Sequence, residues 1–173
     1  MSYSLERKVA KPLMGDRRHI QYLEYSGAGI VLRCAVDRHG VTLAGAEASG
    51  YLSLGKAISI PGLRNGARGE ICGMSLLVRR PVYGWRLSRR EIHVVLEGNH
   101  QYTIRTYGLR RGFDIVDWNS LEVVAASESG SLTIENGPTS VPALLALLDA
   151  SNIPYTSLLR SFLPMSSLFR GKS

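Results

Sequence analysis

The chain has 173 residues, 45% of them hydrophobic and 20% charged, with a formal net charge of +7. That composition suits one domain with a core of its own, and excludes a disordered, collagen-like or disulfide-stapled mini-protein. No run of about 20 apolar residues predicts a membrane-spanning helix.

The chain opens on an arm. Ser4–Val9 predicts an edge strand, which Pro12, Gly15 and Asp16 then break. Met1–Gly15 is charged and has no apolar core, so no secretory leader is expected. The expected location is the cytoplasm, with peripheral membrane association open. His19–Tyr25 alternates, with Ile20, Tyr22 and Glu24 on one face and Gln21, Leu23 and Tyr25 on the other. Gly27-Ala28-Gly29 is a hairpin break, Ile30–Val36 a second strand, Asp37–Gly40 a turn and Val41–Ala46 a third strand. Residues 45–69 carry six glycines at near-regular spacing, with strands at Tyr51–Leu54 and Ala57–Ile60. They fit neither a phosphate loop nor a dinucleotide fingerprint.

From residue 70 the strand signal strengthens. Ile71–Val78 reads as one strand, followed by Trp85–Leu87 and Glu91–Glu97. Gly98-Asn99 turns the chain into Gln101–Tyr107, with Tyr102 and Ile104 on one face and Arg105 on the other. Phe113–Trp118, Leu121–Ala125 and Ser131–Ile134 complete a meander, with Ser127–Ser131 as a loop. Thr139 or Ser140 then caps a helix over Ser140–Ala150 that stops near Asn152. Its residues Val141 and Ala143–Leu148 leave no polar stripe, so the helix has to be enclosed on most sides. A second short helix is expected over Thr156–Leu163. The domain organisation is a single β-rich domain over residues 1–165, its C-terminal helix at 140–151, and a loose tail at 166–173.

Chemical signatures are sparse. His19, His39, His93 and His100 share no metal-ligand spacing, so no metal or cofactor is expected. His93 is read as facing solvent on its strand. Cys34 and Cys72 lie in apolar runs and read as two buried thiols. No nucleophile elbow surrounds any serine. Asp114 and Asp117 point to opposite faces of an extended chain, which argues against a carboxylate pair. The expectation is therefore a protein that is not an enzyme, with a site of scattered residues as the alternative.

Arginine outnumbers lysine 17 to 4. The positive excess is densest at residues 69–111, which hold eight arginines against three acids. Arginine forks match phosphate and carboxylate geometry, so the candidate anion-binding residues are Arg79, Arg80, Arg86, Arg89, Arg90, Arg105, Arg110 and Arg111. A GC-rich genome would produce the same bias through codon usage. Tyr83, Trp85, Tyr102 and Tyr107 interleave with these arginines, which also admits nucleic acid. It ranks below lipid or another phosphate-bearing ligand, because Tyr102 alternates with Ile104 as a core residue would.

Residues 85–125 resemble the tubby-like and scramblase-like superfamily, which includes the LURP-one-related proteins. The slots are filled by Tyr102-Thr103-Ile104-Arg105, Phe113–Asp117 and Val123-Val124-Ala125. The usual glycine after the Asp is replaced by Asn119-Ser120. The resemblance implies a closed barrel wrapped around a hydrophobic C-terminal helix. It also implies binding of phosphoinositides or membrane surfaces, with Arg86, Arg89, Arg90 and Arg105 as the matching residues. The expected fold is mainly β, an antiparallel closed barrel or strongly bent sheet around that helix. A pleckstrin-like barrel with a C-terminal helix is the alternative. The expected function is non-enzymatic binding of an anionic ligand or surface, with phospholipid headgroups as the leading candidate, through an arginine-rich face. A protein-interaction scaffold, including a homodimer, is the other reading.

Overall fold

The computed structural model describes residues 2–10, 20–37, 39–46, 48–53, 67–79, 91–98, 100–106, 112–135, 137–138 and 140–151, the side chains of Arg79 and Glu91 excepted. Twelve strands form it: β1 (Tyr3–Ala10), β2 (Gln21–Gly27), β3 (Ile30–Val36), β4 (Gly40–Gly45), β5 (Ser49–Ser53), β6 (Ala67–Ile71), β7 (Met74–Arg79), β8 (Glu91–Leu96), β9 (His100–Thr106), β10 (Gly112–Asp117), β11 (Val123–Glu128) and β12 (Ser131–Ile134). Among the described residues one helix follows, α1 (Ser140–Ser151). Each strand pairs antiparallel with its sequence neighbours, and β1 pairs with β12 to close the barrel.

Closure corrects the reading of β1 as an edge. Tyr3–Glu6 pair with Ile134–Ser131, while Glu6–Ala10 pair with Ser26–Tyr22. The strand therefore has a neighbour on each side, and no edge is left to template aggregation.

Barrel size explains the helix. About eight strands leave an interior that side chains alone can fill, and diameter grows with strand number. Twelve leave a lumen that needs something larger, and an α-helix is about 10 Å across. All twelve residues of α1 are buried, and Val141, Ala143–Leu148 and Ala150 share one hydrophobic core cluster with inward residues of the strands. The helix packs against β3–β6 and β11–β12, whose inward residues include the small Cys34, Gly50, Ala67, Ala125 and Ser127 beside larger ones such as Leu43, Leu52 and Leu132. A Cβ on Gly50 would lie 2.5 Å from the Glu70 carbonyl oxygen and 3.4 Å from Leu147. The opposite wall fills its own share with Ile92, Val94, Tyr102, Ile104, Phe113 and Ile115.

The expected strand over Ile71–Val78 is two strands. Cys72 (φ 50°) and Gly73 (φ 78°) form a two-residue turn between β6 and β7. Two successive positive φ values match the twist of a hairpin. Cys72 is accordingly exposed, which corrects its reading as a buried thiol. Likewise Ser127–Ser131 is not a loop: Ser129-Gly130 alone turn β11 into β12, and Ser127 is fully buried. His93 lies on the outer wall but is half-buried, its ring centroid 5.1 Å from that of Trp118. The expected strands Ala57–Ile60 and Trp85–Leu87, and the short helix over Thr156–Leu163, lie outside the described residues.

The two thiols should report this difference. Burial, then the nearby Asp149 carboxylate, pushes the Cys34 thiol up to about 12. Cys72 is expected to react with a thiol reagent in the native protein, and Cys34 only after unfolding. Equal native-state rates would contradict the interior position of Cys34. The raised value has a definite sign: its share of stability is complete below the ordinary thiol value of 9 and is lost as pH rises toward 12.

Candidate functional site: two rims of opposite charge

Because neighbouring strands run antiparallel, successive connections leave the barrel at alternate rims. One rim holds connections 28–29, 46–48, 72–73, 97–99 and 118–122, together with segment 135–139 that leads into α1. Those segments carry Glu47, Glu97, Glu122 and Glu135, and no lysine or arginine. The other rim holds connections 11–20, 37–39, 54–66, 80–90, 107–111 and 129–130. Those carry twelve basic residues, including Arg17, Arg18, Arg38 and Arg64, against two acids, Asp16 and Asp37. All twelve of these basic residues lie outside the described set; the strands determine only the rim at which each segment starts and ends.

The sequence candidates sort accordingly. Arg79 ends β7 at the basic rim. Arg80, Arg86, Arg89, Arg90, Arg110 and Arg111 lie outside the described residues, in the segments that join β7 to β8 and β9 to β10 at that same rim. Arg105 is exposed on the outer wall of β9, with Glu91 and Asp114 as its register partners on either side. Its register partners thus carry opposite charge. Sequence reasoning placed the positive density in the middle of the chain. It missed Lys11, Arg17, Arg18, Arg38, Lys56 and Arg64, because strand alternation is what delivers them to the same rim.

The aromatic candidates separate as well. Tyr102 is 1% exposed and belongs to the core, so it offers no stacking face. Tyr83, Trp85 and Tyr107 lie outside the described residues. Asp117 serves a turn: its Oδ1 accepts the backbone N–H of Asn119 at 2.8 Å and of Ser120 at 2.9 Å. Those bonds, led by Ser120, hold its carboxyl below the usual range.

Just inside the basic rim lies a polar cluster that the sequence reading did not foresee. The Asp149 carboxylate, on the last turn of α1, has no exposed side-chain surface. Arg7 Nη1 donates to its Oδ2 at 3.0 Å, the Tyr25 hydroxyl donates to Oδ2 at 2.8 Å, and the Ser127 hydroxyl donates to Oδ1 at 3.0 Å. Three strands, β1, β2 and β11, thereby grip one helix residue. A carboxylate at a helix C-terminus meets the negative end of the helix dipole, and the guanidinium offsets that penalty. Burial, then the Asp149 charge, pushes the Tyr25 hydroxyl far above its ordinary value, so it remains a donor. No buried side-chain polar atom among the described residues lacks a partner. The cluster is sealed from solvent except at Arg7, whose side chain is 31% exposed, and its chemistry is structural.

A cavity of about 130 Å³ opens at the acidic rim, between Tyr3, Ile30, Leu32, Ala48 and Pro142. It is mostly apolar and lies across the barrel from the arginine segments. Among the described residues no group of three or more His, Cys, Asp or Glu could hold a metal ion, and no helix is long and apolar enough to cross a membrane. Comparison with protein-family models, curated proteins and solved structures finds no match for this chain.

Proposed function

We propose that the protein binds an anionic phospholipid surface through its basic rim and catalyses no reaction there. The supporting observation is the segregation of charge: twelve Lys/Arg in the connections of one rim, none in those of the other. A codon bias toward arginine raises the total but does not sort it by strand direction. Basic residues held near an anionic bilayer each contribute on the order of 1 kcal/mol. The tubby-like resemblance supports the same reading, since it implies a closed barrel around a C-terminal helix and a taste for membrane surfaces. We read the chain as a divergent barrel of that kind.

The test is sedimentation with vesicles. Vesicles of phosphatidylserine and phosphatidylcholine are expected to pellet the protein at low salt, and pure phosphatidylcholine vesicles to leave it in solution. Raising salt to about 1 M shrinks the Debye length to about 3 Å and should weaken the affinity at least tenfold. Arg89→Glu with Arg90→Glu should lose roughly 30-fold or more at low salt, since two lost contacts of about 1 kcal/mol each already amount to that. Equal pelleting on neutral and anionic vesicles, or none on either, would sink the proposal.

A further inference from the structure

We infer that the cavity at the acidic rim is a binding site for one small neutral molecule, a single ring carrying one hydroxyl or carbonyl group. This goes beyond the basic-rim reading and does not depend on it.

The core is incompletely covered at this place. Among the described residues Tyr3, Ile30, Val36 and Ala48 are hydrophobic, only partly buried and packed against the core, and three of these four line the cavity. The walls come from β1, β3, the connection between β4 and β5, and the first turn of α1. Ala46 and Ala48, in and beside that connection, offer only a methyl each, so they leave a gap that longer side chains would fill. A ligand seated there takes the remaining apolar surface of Tyr3, Ile30 and Ala48 out of water, which is the driving force for its binding.

Size limits the ligand. The cavity measures about 130 Å³. An apolar cavity of roughly 150 Å³ admits benzene, whereas clefts for drug-sized ligands begin at roughly 300 Å³. The site therefore takes one ring, and a nucleotide or a whole lipid does not fit.

Polarity limits it further. All eight lining residues are uncharged, and the Tyr3 hydroxyl is their one polar side-chain group. Burial pushes that hydroxyl above its ordinary value, so it stays protonated and offers one donor and one acceptor. The Tyr3 ring adds an aromatic face or edge for a ring to meet. The start of α1 does not make the site an anion trap. Pro142 has no N–H, and the N–H of Val141 is already given to the carbonyl of Pro138. Glu135 directly follows Ile134, the register partner of Tyr3, and Glu97 and Glu122 stand on the same rim. A carboxylate ligand meets repulsion there and gains no cation.

The experiment is a titration of the isotope-labelled full chain followed by amide NMR. The probes share one shape: para-cresol, toluene and para-toluate. Para-cresol is expected to shift the amides of Gly29 and Ala48 in a saturable way and to leave Gly130, at the opposite rim, unmoved. Para-toluate should bind at least about tenfold more weakly, because its charge has to leave water without a partner. Tyr3→Phe should weaken para-cresol by about fivefold and leave toluene within about twofold, a split that a merely loosened site would not produce. Ala48→Leu should abolish binding of both neutral rings at an unfolding temperature no lower than the parent's. Ala46→Leu fills the same space and serves where Ala48→Leu does not fold. Absence of saturable shifts at Gly29 and Ala48 with either neutral ring would overturn the site. So would undiminished binding to a folded filled variant. Para-toluate binding as tightly as para-cresol, or para-cresol indifferent to Tyr3→Phe, would overturn the assignment of the ligand class.

Discussion

Arg7→Met is expected to cost about 3–5 kcal/mol in urea unfolding at neutral pH, far more than a surface ion pair would. The reason is asymmetric burial. Asp149 has no exposed side-chain surface, so once the guanidinium is gone its carboxylate stays in a dry site facing the negative end of α1. Asp149→Asn should cost less, about 1–2 kcal/mol. The amide oxygen still accepts from Tyr25 or Ser127, and Arg7, already 31% exposed, turns to water. The double variant should therefore be more stable than Arg7→Met alone, the sign of direct coupling in a double-mutant cycle. An Arg7→Met protein within about 1 kcal/mol of the parent would reduce the cluster to an ordinary surface pair.

Leu144→Ala is expected to destabilise by about 2–5 kcal/mol. Leu144 is fully buried in the middle of α1, inside a wall whose hydrogen bonds resist collapse onto a vacated site. At about 2–4 °C per kcal/mol for a chain of this size, the unfolding temperature should drop by roughly 5–15 °C. Val9, 74% exposed on β1, supplies the contrast: Val9→Ala should stay within about 0.5 kcal/mol. Comparable losses at the two positions would mean that α1 is not the filling of the barrel.

Most of the wall was legible because half-buried strands alternate. Ile30–Val36 and Ser131–Ile134 stand where their patterns placed them, and Tyr102 and Ile104 point inward with Arg105 outward. The enclosed helix was legible for the complementary reason, since a segment without a polar face has few stable places to go. The break at Cys72-Gly73 was hidden inside a continuous apolar run, where a two-residue turn leaves no gap in the pattern. Closure was not local information: Leu5 and Leu132 are register partners across most of the chain, and no window of sequence contains both. The same distance hid the Asp149 cluster. A lone acid in the helix was visible, but Arg7, Tyr25 and Ser127 come from three separate strands. The rims became visible only once strand direction was known, because acidic and basic connections alternate along the chain.

The pairing of β1 with β12 also governs how the molecule assembles. The seam joins residues that the ribosome produces about 130 positions apart, and the object to be enclosed emerges later still. A cylinder sealed early would shut its own filling out, so the first strand has to wait while the rest of the sheet curls around the last helix. Such long-range contacts make folding slow. The last stitch and the packing of the lumen are then one event, and a chain missing either should stay open, with its greasy inner lining turned to water.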